Sequence, residues 1–373
     1  MNPPVATPDP ALPPGDVQEP LLSVRHLSKH FLTRRRSFLK KAAGPICVVN
    51  DLSFDLYPGE TLGLVGESGS GKTTTARCIL RALTPTSGEV WFRTNGQRVD
   101  LARLSERALK PLRPDMQLIF QDPYSSLNPR MTVNQIVGEP LVIHRLAKGS
   151  ELDDRVADML LRIGLKPEHR MRYPHAFSGG QRQRIGIARA LIMRPSLVVA
   201  DEAVSALDVS VQAQVLNLLK DLQEEFKLTC IFVAHNLDVI RHVCDRVAVM
   251  YAGRIVESGA TAELFKDPRH PYTRALHSAV PRPDPDQRMN FEIIGEAADL
   301  GSLPSGCAYH PRCLQCFAPC QQHRPELQPA IGDAAGGTGD HLVACHLNDE
   351  ARPPGNSIKP DQEVLVDRPK SPQ

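Results

Sequence analysis

The sequence predicts an α/β protein built around a mostly parallel, buried β-sheet. Short apolar runs alternate with segments whose apolar residues recur at helical spacing, and this alternation is typical of a parallel sheet. The predicted strands at 61–65, 116–120 and 197–200 are short and mostly apolar, whereas those at 22–27 and 48–56 alternate or run apolar. One of them, Thr61–Val65, leads directly into a glycine-rich loop and then a helix. That order of elements is typical of a phosphate-binding loop.

The first half of the chain contains four predicted strands and two helical stretches. The strands are expected at 22–27, 48–56, 61–65 and 116–120. The first two flank a basic loop that contains Arg34, Arg35, Arg36, Lys40 and Lys41. A helix begins near Gly71 and includes Leu80. Between 132 and 172 the apolar residues follow helical spacing, so we expect an all-helical insertion there.

The second half of the chain returns to alternating strands and helices. Strands are expected at 197–200, 229–233 and 246–250, with Gly253–Glu257 as a late hairpin partner. The separating helices include Val211–Phe226. After Pro268 the sequence predicts a short helix from His270, then a linker with Pro281, Pro283 and Pro285, and then a cysteine-rich segment.

These changes in composition divide the chain into four segments. Residues 1–19 are rich in proline and are expected to be disordered, and 20–268 form the main domain, with the helical subdomain at about 122–178. Residues 269–347 form a C-terminal extension with the cysteines, and 348–373 are expected to be a disordered tail.

Length and charge exclude several classes of protein. The 373 residues carry a formal net charge of +2, which gives no indication of a nucleic-acid partner. No apolar run approaches the roughly 20 residues that span a bilayer. Met1–Pro20 lacks the apolar core of a secretory signal. We therefore expect a cytoplasmic protein, which can still bind peripherally to a membrane protein.

The glycine-rich loop matches the G-x-x-x-x-G-K-[ST] pattern in full. Its residues are Gly66, Glu67, Ser68, Gly69, Ser70, Gly71, Lys72 and Thr73. The glycines let the backbone curl around phosphates with several N–H groups pointing inward. We expect Lys72 to reach the β- and γ-phosphates and the Thr73 hydroxyl to bind Mg²⁺. The loop therefore indicates a nucleoside triphosphate.

Two carboxylates follow the predicted strand 197–200. Asp201 is placed to hold Mg²⁺, and Glu202 is placed to orient or polarise an attacking water. An acidic pair after a strand is more often the start of a helix, where it interacts favourably with the helix dipole. Its combination with the phosphate-binding loop favours the catalytic interpretation.

A second glycine-containing segment precedes a predicted helix. Its residues are Ser178, Gly179, Gly180 and Gln181. Glycines before a helix expose backbone donors at the positive end of the helix dipole, which favours an anion. Taken alone, the segment also fits an ordinary capped helix.

Six motifs in one order resemble those of ATP-binding cassette (ABC) ATPases. They are Gly66–Thr73, Gln121, Ser178–Gln181, Asp201–Glu202, Ser205–Asp208 and His235, and the resemblance covers roughly residues 20–265. It implies that Gln121 contacts the metal, that His235 contacts the γ-phosphate and that Phe31 stacks on adenine. It also places Asp208 at the nucleotide. In this family, Ser178–Gln181 binds the ATP held by a partner subunit.

Further segments resemble the oligopeptide and dipeptide importers among the ABC transporters. They are Gln121–Arg130, Asp201–Ser210 and His270–Thr273. The resemblance implies a second ATPase chain as partner, two transmembrane permeases, a periplasmic or lipid-anchored binding protein, and a location at the cytoplasmic face of the membrane. This chain is most similar to the second ATPase of the pair. Importers of nickel, glutathione and modified peptides share the branch. A soluble ABC ATPase and a module that holds ATP without turnover are the less favoured alternatives.

Five of the nine cysteines lie close together near the C-terminus. Cys307, Cys313, Cys320 and Cys345 follow the spacing of the branch's C-terminal motif, and Cys316 is an additional thiol. The resemblance implies that Cys307, Cys313, Cys320 and Cys345 bind a four-iron four-sulfur cluster. Four thiolates also suit zinc, and the Cys313-x-x-Cys316 spacing favours it. Binding no metal is the third possibility. A cluster here would be structural, because the segment has few large apolar residues.

Overall fold

The computed structural model describes residues 19–32, 44–278, 295–331 and 341–348. Several expectations concern segments outside these described residues: the disorder of the N-terminus and of the tail, the basic loop after Phe31, and the linker with Pro281, Pro283 and Pro285.

The described strands form two sheets. The strands are β1 (Leu22–Phe31), β2 (Ile46–Leu56), β3 (Thr61–Val65), β4 (Ser87–Thr94), β5 (Gln97–Asp100), β6 (Met116–Ile119), β7 (Leu197–Asp201), β8 (Thr229–Ala234), β9 (Arg246–Tyr251), β10 (Arg254–Ala260), β11 (Gln328–Pro329) and β12 (Leu342–Val343).

The described helices lie between and after these strands. They are α1 (Lys72–Ile79), α2 (Glu106–Leu109), α3 (Val133–Ile143), α4 (Ser150–Arg162), α5 (Gly179–Leu191), α6 (Val209–Phe226), α7 (Leu237–Val243), α8 (Thr261–Lys266), α9 (Pro271–Ser278) and α10 (Ala318–Gln322). Short 3₁₀ turns include Pro167–Met171, Pro174–Ala176 and His310–Arg312. None of the helices in the described part of the chain has the length and apolarity to cross a membrane.

The larger sheet confirms the predicted parallel core. Its strand order is β11-β12-β10-β9-β3-β8-β7-β6, and β9, β3, β8, β7 and β6 run parallel to one another. Every residue of β3 and β7 is buried. In a parallel sheet the carboxyl ends of the strands meet at one edge, and ligands bind there. The loops that follow β3, β6, β7 and β8 therefore share that edge.

The smaller sheet was predicted only in part. Its order is β2-β1-β4-β5 and all its pairs are antiparallel. The expected strands at 22–27 and 48–56 are present as β1 and β2, but β4 and β5 were not predicted. In β4 the buried residues Val90 and Phe92 alternate with partly exposed ones, so the strand lacks the continuous apolar run that marks the parallel strands.

The helical stretch expected between 132 and 172 contains α3 and α4. Helix α3 begins with a capping box, in which the Thr132 hydroxyl accepts from the Gln135 N–H (3.3 Å) and the Gln135 side chain accepts from the Thr132 N–H (2.9 Å). The apolar faces of α3 and α4 are buried through Val133, Val156 and Leu160. This packing supplies most of the stability of such short helices.

The C-terminal residues attach to the larger sheet through Glu257. Strand β12 pairs with β10, with Val343 opposite Glu257. The Glu257 side chain is fully buried and accepts hydrogen bonds from the N–H groups of Arg269 (2.7 Å) and His270 (2.9 Å). It also pairs with His341 Nε2 at 2.8 Å. One buried carboxylate therefore joins the segment before α9 and the residues before β12 to the sheet.

His270 makes the stability of this attachment dependent on pH. The side chain is 1% exposed, and its Nδ1 accepts a hydrogen bond from the Tyr272 N–H (3.0 Å). Burial lowers the pKa of His270 from 6.5 to about 4, and the charges of Glu257 and Arg274 act on it in opposite directions. Unfolding therefore takes up a proton between these pH values. Between these pH values, protonation of His270 on unfolding lowers the free energy of unfolding by up to about 1.4 kcal/mol for each pH unit of acidification.

We expect His270→Asn to weaken this acid sensitivity. Between pH 7 and pH 5 the wild type should lose about 2 kcal/mol more unfolding free energy than the variant, because only the wild type protonates His270 on unfolding. Urea denaturation at both pH values measures the difference. The exposed His175 provides the control, because His175→Asn should retain the wild-type pH dependence. Equal pH dependence in His270→Asn and wild type would contradict the assignment.

Candidate active site

The glycine-rich loop lies between β3 and α1, at the edge where the parallel strands end. Gly66, Gly69 and Gly71 have φ values of 155°, 82° and 101°, which glycine adopts more readily than other residues. The loop ends at the N-terminus of α1, where free N–H groups and the helix dipole favour an anion. The local structure thus matches the predicted phosphate-binding loop.

Lys72 is buried beneath this loop. Its Nζ donates to the carbonyl oxygens of Gly66 (2.7 Å) and Glu67 (2.8 Å) and lies 3.4 Å from Ser70 Oγ. Burial lowers the pKa of Lys72, whereas the carboxylates of Glu202, Asp201 and Glu67 raise it. An ammonium held inside the loop is suited to the charge of a bound phosphate.

Thr73 and Asp201 meet at the end of β7, as the magnesium prediction requires. The Thr73 hydroxyl donates to Asp201 Oδ1 at 2.8 Å. Asp201 is 4% exposed, and burial raises its pKa although Thr73 and Arg77 act in the opposite direction. Hydroxyl and carboxylate oxygens are ligands that Mg²⁺ prefers, and a dication would compensate this buried charge. The donor set therefore fits Mg²⁺.

The structure also brings the three predicted catalytic residues together. Gln121 Nε2 donates to Glu202 Oε2 at 2.8 Å, and His235 Nδ1 lies 3.7 Å from Glu202 Oε1. Glu202 itself has φ 48°, a left-handed conformation that is rare for residues other than glycine. Its N–H donates to the Val233 carbonyl of β8 at 3.0 Å. The strained backbone is thus fixed by the sheet, as is common at functional sites.

The Ser178–Gln181 segment forms the first turn of α5. The Ser178 hydroxyl accepts from the Gln181 N–H (3.4 Å), and Gln181 Oε1 accepts from the Ser178 N–H (3.1 Å). A Cβ at Gly180 would lie 2.4 Å from Val211 Cγ1, so the packing of α5 against α6 requires glycine there. Asp208 is the residue before α6. The nucleotide contacts of these residues stay predictions.

Phe31 is the last residue of β1. Its side chain is 39% exposed, and Lys29 Nζ lies 5.1 Å from the ring centroid. An exposed aromatic ring at a strand end is available for stacking, and adenine stacking by Phe31 stays a prediction.

Two residues of the C-terminal half, Arg312 and Tyr272, contact Glu67 of the phosphate-binding loop, and neither contact was predicted from the sequence. Arg312 forms two ion-pair contacts with Glu67, and the Tyr272 hydroxyl accepts from the Glu67 N–H. The Tyr251 hydroxyl lies 3.4 Å from Arg312 Nη1. The only sequence signals were the His270–Thr273 and His310–Arg312 segments, which indicated the branch of the family but not a contact with the loop.

The expectation of a metal site at the cysteines has no support from the structure. In the described part of the chain, no group of three or more His, Cys, Asp or Glu side chains is arranged to hold a metal ion. Burial raises the pKa of Cys307 to about 11 and that of Cys313 and Cys345 to about 12. The structure therefore gives no support to an iron–sulfur or zinc site within its described residues.

Comparison with known families and proteins agrees with this geometry. Residues 49–205 match the ABC transporter family model, and 256–320 match the model of the oligopeptide/dipeptide transporter C-terminal region. The oligopeptide transport ATP-binding protein AppF of Bacillus subtilis is 46% identical over 88% of this chain and 98% of that protein. The dipeptide transport ATP-binding protein DppF of Escherichia coli is 45% identical over 91% of this chain and 97% of that protein.

A solved structure shows the same fold. The chain resembles the ATP-binding cassette MJ0796, determined as a post-hydrolysis dimer bound to ADP and Pi, with a TM-score of 0.56 and 27% identity over 64% of this chain and 98% of that chain. Lys72, the Thr73–Asp201 pair and the Glu202 group lie together at the edge where the parallel strands end, and their roles toward ATP and Mg²⁺ stay predictions. The chain therefore belongs to the ABC transporter family, as an ATPase of the branch of oligopeptide and dipeptide transport ATP-binding proteins.

Proposed function

We propose that this chain is one of two different ATPase subunits that drive the import of di- and oligopeptides through a pair of permeases. The observation that carries the proposal is the combination of a complete hydrolytic group around Glu202 with a C-terminal region that matches the peptide-transporter model. The names of the relatives favour peptides as substrates. The proposed location is the cytoplasmic face of the membrane, where a substrate-binding protein on the other side delivers the peptide.

The proposed chemistry assigns a role to each residue of the site. Bound Mg²⁺ neutralises charge on the phosphate oxygens, and Thr73 and Asp201 would hold it. Lys72 binds the β- and γ-phosphates, and Glu202 accepts a proton from the attacking water or orients it. Gln121 holds the Glu202 carboxylate at 2.8 Å, and His235 lies on its other oxygen at 3.7 Å. These two residues therefore fix the direction of the carboxylate.

The proposed pairing assigns Ser178–Gln181 to the ATP of the partner. The glycines and the N-terminus of α5 provide donors for an anion, and the similar cassette MJ0796 was solved as a dimer. Each ATP would then lie between the phosphate-binding loop of one subunit and the α5 N-terminus of the other. Hydrolysis would separate the subunits and move the permeases.

A matched pair of cap variants tests this pairing. Ser178→Ala and Thr132→Ala each remove the serine or threonine of a capping box, at a cost of about 1 kcal/mol in stability. We expect only Ser178→Ala to lower the ATPase rate of the co-purified pair of subunits, because only α5 faces the second nucleotide. Equal rates in the two variants would contradict the pairing.

Reconstitution tests the transport proposal. The chain alone should hydrolyse ATP slowly. In proteoliposomes that also contain two permeases and a second ATPase encoded by neighbouring genes, the rate of ATP hydrolysis should rise when the peptide-loaded binding protein is added. Stimulation by nickel or glutathione instead of peptides would assign a different substrate of the branch.

A further inference from the structure

Two side chains of the C-terminal region contact the same residue of the phosphate-binding loop, Glu67. The Arg312 guanidinium binds the Glu67 carboxylate through both of its oxygens, with Nη1 2.8 Å from Oε2 and Nη2 2.8 Å from Oε1. The Tyr272 hydroxyl accepts a hydrogen bond from the Glu67 N–H at 2.8 Å. Arg312 lies in the turn His310–Arg312 and Tyr272 in α9, so two separate elements converge on one loop residue.

This contact is buried and specific. The Arg312 side chain is 7% exposed and that of Glu67 is 20% exposed. The Arg312 guanidinium carbon lies 5.8 Å from the ring centroids of both Tyr251 and Tyr309. A guanidinium in a fixed fork with a carboxylate forms stronger and more directional bonds than a neutral pair. Removing one partner of such a pair leaves an uncompensated buried charge, and the geometry around it then changes.

Glu67 passes this constraint to the lysine of the loop. The Glu67 carbonyl oxygen accepts from Lys72 Nζ at 2.8 Å, next to the bond from Lys72 to Gly66 O at 2.7 Å. Glu67 is therefore fixed at its carboxylate, its N–H and its carbonyl, and the third of these bonds holds the ammonium that binds phosphate. If the contacts of the Glu67 carboxylate and N–H group change, the Glu67 carbonyl oxygen that accepts from Lys72 moves as well.

We propose that Arg312 is a positioning residue for ATP binding, which it controls from the C-terminal region through Glu67, with Tyr272 as its second point of contact. The C-terminal region thereby has a role in the nucleotide site of its own subunit. Arg312 does not contact the reacting atoms in this arrangement. The proposal depends on ATP binding by this chain, and it is independent of the partner subunits and of the transported substrate.

Equilibrium binding of a fluorescent ATP analogue to the purified full-length chain, with Mg²⁺, tests the proposal. We expect Arg312→Gln to weaken binding about tenfold, because loss of one well-placed hydrogen bond from Lys72 to a charged phosphate oxygen costs at least about that factor. In steady-state assays the KM for ATP should rise by a similar factor with a smaller change in kcat. Arg312→Lys keeps the charge and one hydrogen bond, and should recover part of the affinity.

Arg25→Gln is the matched control, because it also breaks an arginine pair with both oxygens of a carboxylate, but in the smaller sheet. Arg25 Nη2 lies 2.6 Å and 2.7 Å from the two oxygens of Asp55. Its affinity for the nucleotide should equal that of the wild type. Thermal denaturation of every variant, with and without the analogue, separates loss of stability from loss of binding.

If Arg312→Gln does not fold, Tyr272→Phe tests the same proposal. It removes only the hydroxyl that accepts from the Glu67 N–H and keeps the ring contact with Tyr251, at 4.7 Å between centroids. We expect about threefold weaker binding of the analogue, the equivalent of a typical single hydrogen bond of modest net strength. Wild-type affinity in folded Arg312→Lys and Tyr272→Phe would overturn the proposal, and so would an equal loss in Arg25→Gln.

Discussion

Replacement of Glu202 with glutamine should reduce ATP hydrolysis by about 10²–10⁴-fold, the range typical for loss of a general base, while ATP remains bound. The amide has the shape of the carboxylate but cannot accept a proton from water. Lys72 and the Thr73–Asp201 pair, which hold the phosphates and Mg²⁺ in the proposed mechanism, are unchanged. Rates of phosphate release, measured beside equilibrium binding of an ATP analogue, give the two quantities separately.

The control for this variant is a glutamate at the opposite end of the same sheet. Glu60 precedes β3 and pairs with Arg246 at 2.9 Å. Glu60→Gln removes a partly buried charge of the same type but lies far along the strand direction from the loops that bind nucleotide. It should lower stability and keep the turnover rate of the folded protein. Wild-type turnover in Glu202→Gln would remove Glu202 from the catalytic role.

The meeting of Gln121, Glu202 and His235 could be predicted from the sequence because each of them follows a strand. Gln121, Glu202 and His235 come directly after β6, β7 and β8 or within two residues of them. In a parallel sheet, residues at the carboxyl ends of neighbouring strands are brought together whatever the length of the connections. The family motifs selected these three side chains among the residues at the strand ends. The contacts of Glu202 with Gln121 and His235 follow from the topology.

The contact between Arg312 and Glu67 could not be predicted in this way. The two residues are 245 positions apart, and no strand order relates the turn at 310–312 to the loop after β3. Their pairing depends on how the C-terminal region packs on the sheet, through β12, Glu257 and the tyrosines. Local sequence patterns carry no information about such packing. In the sequence, Arg312 only stands next to Cys313, and this position indicates nothing more than a positive charge beside the cysteines.

The cysteines show the opposite case, because their spacing predicted a metal site for which the structure gives no support. Spacing in the sequence brings Cys307, Cys313 and Cys320 into one short segment, but a metal site also requires side chains that converge at bonding distance. In the part of the chain that the structure describes, no group of three or more His, Cys, Asp or Glu side chains is arranged in this way. The apolar surroundings of these cysteines match small buried hydrophobic residues equally well, and the sequence does not distinguish the two arrangements.

Replacement of Gly66 with alanine should cause one of the largest losses of stability of any single methyl group added to this chain. A Cβ at this position would lie 2.2 Å from the Met250 carbonyl oxygen and 2.9 Å from Ser70 Oγ. The Met250 carbonyl belongs to β9 in the parallel core and cannot move without disturbing the sheet. We expect a loss of about 3 kcal/mol or more in the free energy of unfolding, at the upper end of the cost of overpacking.

Gly69→Ala measures the cost of a positive φ at this loop in the absence of a clash. Gly69 has φ 82°, and no heavy atom lies within 4 Å of the point that its Cβ would occupy, whereas Gly66 has φ 155° and the Met250 contact. The Gly69 variant should therefore lose only about 1–2 kcal/mol, the cost of a left-handed conformation. Chemical denaturation of both variants measures the difference. Because Gly66 also connects β3 to the residues that hold Lys72, the extra loss should be accompanied by loss of ATP binding. Equal destabilisation of the two variants would show that β9 yields to the methyl group, and that the loop is less rigid than its contacts indicate.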